Sequence, residues 1–327
     1  MASALFYKEG FMSQKIVKSK KRTVFQKQFS LQMFAIAGIV YLCVFNVIPM
    51  LGLIMGFKDY QITMGIKGIF TANWVGMKYI KEFYNDFLFP QLVKNTIGIS
   101  VLKLIFTFPV PIIFAIMLSE MRGSKFKKIT QTASYLPHFI SWVIISGLSF
   151  QFLSTNGIIN TLLMKLHLIE QPVGFLTESS KFWGLVTILD VWKESGWWAI
   201  VFLAAIMGIN MEMYESAKLD GASRLQRIWY ITLPCIKPTI VTILIMSLGN
   251  LFGGGLSGSS FEQSYLLGNR MNSSASNIIQ TYVYEVGLAN GRYAYASAVG
   301  MIQSIISLVF VFSSNFVSKK VTGSGLF

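Results

Sequence analysis

Long apolar stretches are the feature of this sequence that most restricts its fold. The first, residues 31–57, has no charged side chain over 27 positions, and a helix of about 20 apolar residues suffices to cross a bilayer. With 53% hydrophobic and 13% charged residues, the chain is too apolar for a soluble domain. We predict an all-α membrane protein with about six transmembrane helices. The predicted spans are residues 31–57, 94–119, 132–153, 182–207, 239–251 (or to 255) and 293–317.

The distribution of lysine and arginine predicts the orientation of these spans, because cytoplasmic segments carry an excess of basic residues. If both termini are cytoplasmic, the inner segments hold 17 basic and 5 acidic residues, and the outer segments hold 9 and 7. The sequence therefore predicts a basic cytoplasmic tail at 1–30, a membrane domain at 31–318 and a second cytoplasmic tail at 319–327. The apolar run after the first tail is too long for a signal peptide. The formal net charge of +14 belongs to these loops and tails, so it does not indicate nucleic-acid binding.

One polar stretch with helical periodicity, residues 210–238, separates the fourth and fifth predicted spans. Asn210 is suited to cap a helix that carries Glu212 and Glu215 in its first turns, because acceptors and negative charge both satisfy the exposed N–H groups there. Asp220 and Gly221 are expected to end this helix.

A second short amphipathic helix is predicted beyond the break. Its apolar positions recur at spacings of three and four, while Arg224 and Arg227 face away from them. Pro234 and Pro238 are expected to end this helix and to restart the chain before the fifth span. The apolar positions of the predicted helix are Ala222, Leu225, Ile228 and Trp229.

The same stretch resembles the coupling loop of ABC importer permeases, whose pattern is E-A-A, three residues, G, nine residues, I, one residue, L-P. The matching residues are Glu215, Ser216, Ala217, Asp220, Gly221, Ala222, Ile231, Leu233 and Pro234. Ser216 replaces the first alanine, a small-for-small change. The resemblance implies that a cytoplasmic helix pair docks on a separate ATP-hydrolysing subunit through these residues. Small side chains permit close approach, and a glycine permits the turn between helices.

Further segments resemble the maltose-type sugar permeases, and more narrowly the branch for complex oligosaccharides and polysaccharides, alginate among them. The resemblance implies a type I ABC importer permease fold in a bacterial inner membrane and a heterodimer with a second permease. It also implies two ATPase subunits that hold ATP and Mg²⁺, a solute-binding protein outside the membrane and a saccharide substrate. This chain itself would carry no cofactor. The matching segments are residues 192–197, 261–263, 281–284 and 293–300.

Charged side chains inside predicted spans are costly, so Asp190, Lys193, Glu194 and Lys103 are expected to face protein or water. A role in the substrate pathway is the functional interpretation for them. The alternative is that Lys193 pairs with Asp190 or Glu194 only to neutralise charge.

Aromatic and amide side chains are further candidates for the pathway. Trp192, Trp197 and Trp198 could stack on sugar rings, although aromatic residues in spans also serve as lipid or core contacts. The same two interpretations apply to three residues near the fifth span, which are Asn250, Phe252 and Gln263.

Other types of site are not indicated. The glycine-rich residues 253–260 lack the G-K-[ST] ending of a phosphate-binding loop. Neither His138 nor His167 has a metal-ligand neighbour at a useful spacing, and both are expected to be structural. Cys43 and Cys235 are too few for a disulfide framework. No cluster of nucleophile, base and acid indicates an enzyme.

The first hypothesis is therefore a permease subunit that imports an oligosaccharide or polysaccharide by alternating access, driven by partner ATPases. A secondary transporter or channel that works without ATPases is the alternative. Such proteins often contain inverted repeats, and none is evident here. A membrane enzyme of saccharide assembly is the third hypothesis, and it predicts activity by this chain alone.

Overall fold

The structure, a computed structural model, describes residues 20–323 and residue 325. Most of the predicted N-terminal tail, residues 1–19, and residues 324, 326 and 327 of the C-terminal tail lie outside this part of the chain. Across the described residues every regular element is helical, apart from one isolated bridge between Lys58 and Trp74. The prediction of an all-α fold is confirmed.

The chain divides into two compact units, one ending at Ile54 and the other beginning at Met55. In the first, helix α1 (Lys20–Leu42) continues through a π-helical turn (Cys43–Val47) into α2 (Ile48–Leu51). A 3₁₀ segment (Gly52–Phe57) follows. Proline lies in the first turn of α2, where its missing N–H leaves no helical bond unmade.

The second unit contains fifteen further helices among the described residues. They are α3 (Gly65–Thr71), α4 (Lys78–Tyr84), α5 (Phe89–Phe106), α6 (Pro109–Glu120), α7 (Ser124–Tyr135), α8 (Trp142–Leu153), α9 (Ile158–Lys165), α10 (Ser179–Met207), α11 (Met211–Leu219), α12 (Arg224–Arg227), α13 (Leu233–Gly249), α14 (Ser260–Leu267), α15 (Ser273–Ser276), α16 (Ile279–Tyr284) and α17 (Tyr293–Thr322).

Within the described part of the chain, five helical stretches are long and apolar enough to cross a bilayer. A sixth results when α10 is taken with α11, to which it is joined at a bend of 71°. This agrees with the expected number of about six. The five stretches are Leu31–Phe57, Phe89–Glu120, Trp142–Lys165, Arg224–Gly249 and Tyr293–Lys320.

The predicted start of the third span, at residue 132, is wrong. Residues Ser124–Tyr135 form the separate helix α7, and a 3₁₀ turn, Leu136–Phe139, follows it. The spanning helix starts at Trp142, and the Ser141 hydroxyl caps it by accepting a hydrogen bond from the Ile144 N–H at 3.4 Å. A proline in the first turn of the 3₁₀ segment favours a new start there and not a continuation of α7.

The predicted start of the fifth span, at residue 239, is also wrong, because the prolines do not interrupt the helix. Pro234 lies in the first turn of α13, where it is tolerated, and Pro238 lies inside the helix. The π-helical turn Ile228–Thr232 joins α12 to α13. The second short helix predicted in the polar stretch is therefore the first part of the fifth span, which extends over Arg224–Gly249.

Helix α10 is central to the second unit and packs against α5, α6, α7 and α13. Its Gly196 allows α7 to come close: a Cβ atom there would lie 2.0 Å from the Ser134 carbonyl oxygen. One apolar cluster joins α10 to α6 and α13. Its buried members are Phe108, Ala115, Leu118, Ala199, Phe202, Leu203, Ile206, Ile236 and Ile243.

Candidate functional site

The polar stretch after α10 begins with the predicted capped helix. Asn210 has extended backbone angles, and its Oδ1 atom accepts a hydrogen bond from the Glu212 N–H at 3.0 Å. Glu212 adds negative charge to the first turn, which favours the helix N-terminus. The cap and the helix beyond it, Met211–Leu219, confirm the prediction for this segment.

The helix ends in a glycine turn. The Ala222 N–H donates to the Ala217 carbonyl at 2.8 Å, and the Gly221 N–H donates to the Lys218 carbonyl at 3.2 Å. These two bonds form a Schellman motif, which needs a left-handed residue at the glycine position. Gly221 has φ +79°. The motif fixes a sharp reversal at the place where the sequence predicted one.

The second half of the hairpin starts at a capping box. The Ser223 N–H donates to Gln226 Oε1 at 2.7 Å, and the Gln226 N–H donates to the Ser223 hydroxyl at 3.4 Å. Tyr214 and Thr232, 2.9 Å apart between their hydroxyl oxygens, join the two halves. The chain from Asn210 to Pro234 is thus a hairpin held by its own side chains.

Two apolar side chains of this hairpin are exposed in the described part of the chain. Leu225 is 69% exposed and Trp229 is 66% exposed, so the amphipathic pattern does not bury these two side chains within the described part of the chain. Of the residues in the coupling pattern, Glu215, Ser216, Asp220, Gly221 and Pro234 are exposed, Ala217, Ala222 and Leu233 are half-buried, and Ile231 is buried. Small and apolar groups on the surface are typical of a docking face.

A buried polar cluster surrounds Asp190 in α10. Its Oδ1 atom lies 3.4 Å from the ammonium nitrogen of Lys103 in α5. Thr107 donates to Oδ2 at 3.0 Å, and Ser259 and Gln263 donate to Oδ1 at 2.8 and 3.3 Å. The carboxylate is therefore fully coordinated by donors, which a buried charge requires.

The same cluster connects three segments of the second unit. Lys103 also donates to the hydroxyl groups of Ser259 and Ser260, at 3.3 and 3.2 Å. Gln263 donates to the Val186 carbonyl of α10 at 3.3 Å. Helix α5, helix α10 and the segment that starts α14 thus meet at one neutralised pair of charges.

A second cluster lies one turn further along α10. Lys193 pairs with Glu194 at 3.5 Å and donates to the His138 carbonyl. The His138 Nδ1 atom lies 2.8 Å from a Glu194 oxygen, and its ring stacks on Trp197 at 4.5 Å between centroids. His138 thus fastens the 3₁₀ turn to α10. Within the described residues, no group of three His, Cys, Asp or Glu side chains is arranged to hold a metal ion.

A cavity of about 390 Å³ lies between the end of α13 and the middle of α17. Asn250, Gln280 and Gln303 contribute amide groups to its lining, and Gly249 and Gly300 leave space. The Gln280 Oε1 atom is buried without a hydrogen-bond partner in the described structure. The cavity therefore offers amide donors and acceptors beside a long spanning helix.

Comparison with protein families identifies the kind of protein in which this arrangement occurs. Residues 107–323 match the model of the binding-protein-dependent transport system inner membrane component. The chain belongs to this family of ABC transporter permeases. The matched region includes the hairpin, the cavity, the second polar cluster and the first polar cluster apart from Lys103.

Individual permeases are similar over nearly the whole chain. Protein LplB of Bacillus subtilis is 38% identical over 91% of each chain. The polygalacturonan/rhamnogalacturonan transport system permease protein YteP of the same organism is 38% identical over 92% of this chain and 91% of its own. A chain from the crystal structure of a bacterial alginate ABC transporter, in complex with a periplasmic protein that holds an alginate pentasaccharide, is 36% identical. It has a TM-score of 0.83 and covers 93% of this chain and 99% of its own.

The candidate pathway residues of the permease occupy different environments. Asp190, Lys193, Glu194 and Gln263 are buried. Trp192 is 49% exposed and Trp197 is 37% exposed, whereas Asn250 lies at the 390 Å³ cavity. Of the two pairings considered for Lys193, the structure contains the one with Glu194.

Sequence reasoning missed the partners that neutralise Lys103. It treated Lys103 and Asp190 as separate candidates, and it assigned no role to Thr107, Ser259 or Ser260. A usable signal was present, since a lysine in an apolar span needs a nearby acid. The six spans predicted from the sequence contain only two acidic residues, Asp190 and Glu194.

Proposed function

We propose that the permease moves an oligosaccharide or a fragment of a polysaccharide into the cytoplasm, as a subunit of an importer driven by separate ATPases. The observation that carries this proposal is the hairpin at residues 210–234. It combines a Schellman turn at Gly221, exposed small residues and an exposed apolar face within the region matched to the family. Relatives whose names specify polygalacturonan, rhamnogalacturonan and arabino-oligosaccharides support a saccharide as the cargo.

The hairpin is the proposed docking element for an ATPase subunit. The carboxylate of Glu215 is exposed, so it is available for a charge-assisted bond with a basic group of the partner. Leu225 and Trp229 would be covered by the partner. Removing apolar side chains from water at a protein contact stabilises that contact by roughly 25 cal/mol per Å² before the costs of association.

The hairpin is linked to the cavity by one continuous helical stretch. Arg224–Gly249 comprises 26 residues, and a helix of that length spans about 39 Å at 1.5 Å per residue. Its far end places Gly249 and Asn250 at the 390 Å³ cavity. A displacement of the hairpin by ATPase closure would therefore reach the cavity lining through a single helix, and ATP hydrolysis would reset it.

The cavity is the proposed part of the substrate pathway in this chain. Asn250, Gln280 and Gln303 offer amide groups suited to sugar hydroxyls. Trp192 and Trp197 are partly exposed. For the buried residues Asp190, Lys193, Glu194 and Gln263 we propose a positioning role, because they hold α10 against its neighbours.

We further propose that a second, homologous permease completes the pore and that two ATPase subunits, carrying ATP and Mg²⁺, bind beneath it. A solute-binding protein would deliver the cargo from outside. Residues 1–30 and 319–327 would lie in the cytoplasm with the hairpin, since the basic residues are concentrated in these segments. The membrane domain at 31–318 would then have an even number of crossings.

Accessibility of Cys235 tests the orientation directly. This exposed thiol lies beside the hairpin, and Cys43→Ser removes the other thiol. A membrane-impermeant maleimide is expected to label Cys235 in inside-out vesicles and not in right-side-out vesicles. Labelling only from the outside would contradict the proposal.

Purification and transport test the mechanism. The tagged chain is expected to copurify with an ATPase and a second permease. In proteoliposomes, the assembly should take up a saccharide from a panel of uronate and neutral oligosaccharides only with the solute-binding protein outside and ATP inside. Uptake without ATP or without any ATPase subunit would favour the secondary transporter instead.

A further inference from the structure

A second cavity, of about 350 Å³, lies where the segment after the first span meets the start of α17. Its lining alternates carboxylates, cations, a tyrosine ring and an amide. These groups belong to Asp59, Tyr60, Gln61, Lys78, Glu82 and Arg292. None of them belongs to the hairpin, to the two buried clusters or to the 390 Å³ cavity.

The charges of this cavity are balanced and partly accessible. Lys78 lies 3.6 Å from an Asp59 oxygen, with side chains 55% and 47% exposed. Arg292 donates to Glu82 at 2.6 Å, with side chains 44% and 40% exposed. Two carboxylates and two cations thus present acceptors and donors without an excess of either sign.

Buried aromatic residues hold these groups in position. The Tyr79 hydroxyl donates to Asp59 at 2.9 Å, and the Tyr295 ring lies 4.6 Å beneath the Arg292 guanidinium. Tyr79 is 7% exposed and Tyr295 is 1% exposed. Contacts of this kind reduce the loss of side-chain freedom on binding, because the polar groups are already ordered.

The chemistry of the lining fits a sugar better than an ion. An anion would meet cations that are already paired, and a metal ion would meet ammonium and guanidinium groups. Sugar hydroxyls both donate and accept hydrogen bonds, so they can use carboxylates and guanidinium groups together. The half-buried Tyr60 ring offers an apolar surface for the C–H face of a sugar. The volume lies within the range of about 300–1,000 Å³ typical of small-molecule sites.

We propose that this cavity is an outer saccharide subsite, which holds one end of the oligosaccharide as it passes between the solute-binding protein and the pore. The inference rests on the proposed function, since that orientation places the segment after the first span and the start of α17 outside the membrane. The subsite is separate from the 390 Å³ cavity, which is lined further along α17, from Gly300 to Val311.

Filling the cavity tests the proposal in the full assembly. Gln61→Trp places an indole in the cavity and removes none of the ion pairs. The matched control is Ile66→Trp, because Ile66 is 80% exposed in the neighbouring helix α3 and does not line the cavity. A second variant, Glu82→Gln with Arg292→Gln, removes one ion pair but keeps amides in its place.

Two quantities are measured: the uptake of tetragalacturonate and maltotetraose by proteoliposomes, and the affinity of the assembly for the ligand-free solute-binding protein. For whichever probe is taken up, both cavity variants should raise the KM about tenfold, equivalent to about 1.4 kcal/mol. The maximal rate of uptake and the affinity of the assembly for the solute-binding protein should stay unchanged. Ile66→Trp should behave as the parent chain does.

Two results would overturn the subsite alone. One is an unchanged KM in both cavity variants. The other is a loss of affinity for the ligand-free solute-binding protein by the same factor as the rise in KM. The second result would assign the cavity to protein docking. If the parent assembly takes up no saccharide of the wider uronate and neutral panel, the proposed function itself fails, and the subsite fails with it. The parent assembly therefore distinguishes the two kinds of failure.

Discussion

Lys103 and Asp190 form an ion pair of 3.4 Å in the interior of the second unit, with side chains 1% and 0% exposed. Neither charge is left alone, because three further side chains donate to the carboxylate. Replacing a buried pair by apolar residues is often neutral, whereas removing one partner leaves an uncompensated buried charge. The contribution of the pair to the free energy of unfolding is therefore measured by removing one partner at a time. The presence of the pair is not by itself evidence of added stability.

Lys103→Met is expected to destabilise the permease by roughly 3–5 kcal/mol, since it leaves Asp190 buried without its cation. Asp190→Asn should also destabilise, because it strands the ammonium group. The double variant should lose less than the sum of the two. Thermal unfolding in detergent measures the stability of the parent chain, the two single variants and the double variant. Strictly additive losses would contradict the pairing.

Gly196→Ala should separate α7 from α10. The added Cβ atom would lie 2.0 Å from the Ser134 carbonyl oxygen, a backbone atom that cannot rotate away. Gly184→Ala in the same helix is the matched control, because no atom lies within 4 Å of its Cβ position. We expect a lower melting temperature for Gly196→Ala only. The control should be neutral or gain up to about 1 kcal/mol from helix propensity. Equal behaviour of the two variants would rule out the close approach.

Asn210→Ala should loosen the first helix of the hairpin, because it removes the acceptor for the Glu212 N–H. Loss of such a cap typically costs about 1 kcal/mol. Hydrogen exchange of residues 211–219 should accelerate, while exchange in α13 should not change. Asn210→Asp keeps an acceptor and should retain protection, so fast exchange in that variant would speak against the cap.

Gly221→Ala should disturb coupling more than folding. An alanine at φ +79° meets no neighbouring atom, so the cost is the left-handed backbone alone, about 1–2 kcal/mol. Gly221→Asn is the conservative variant, since asparagine tolerates this conformation. ATPase activity stimulated by the solute-binding protein should fall in the order Gly, Asn, Ala, while the subunits still copurify. Full stimulation in the alanine variant would contradict the role of the turn.

The Tyr79 phenol should ionise at a higher pH than an ordinary tyrosine. Burial, followed by the hydrogen bond to Asp59, raises the pKa of Tyr79 to about 12 from an ordinary value of 10.0. A raised pKa favours the protonated phenol in the folded state. The stability it contributes is complete below pH 10 and is lost as the pH rises towards 12. In spectra of ¹³Cζ-tyrosine, Tyr79→Phe should remove a resonance that titrates near pH 12, and a step near pH 10 for the resonance it removes would refute the assignment.

Local chemistry made parts of the hairpin predictable. Asn210 as a cap and Gly221 as a turn depend on a few neighbouring residues, and both were found where the pattern placed them. The prolines were misjudged because their effect depends on position: Pro234 lies in a first turn, and Pro238 is accommodated within α13. A rule that every proline ends a helix ignores both possibilities.

For the polar clusters, the sequence predicted that partners exist but not which residues they are. Burial of charge in a span predicts that a partner exists, but the partners lie far away in sequence: Lys103 contacts Ser259, 156 residues further along. No local pattern encodes such a contact. The 390 Å³ cavity was likewise beyond the sequence, because it is formed by residues of four segments that come together only in the folded unit.

That separation of 156 residues also matters while the chain is being made. At about 5–20 residues per second, a ribosome needs roughly 4–17 seconds to pass from Lys103 to its counter-ion Asp190, and roughly 8–30 seconds to pass from Lys103 to Ser259. Until Asp190 has been made, the second span holds an ammonium group without its counter-ion. A chain truncated before Asp190 therefore keeps an unpaired charge in its second span, which distinguishes it chemically from the finished protein.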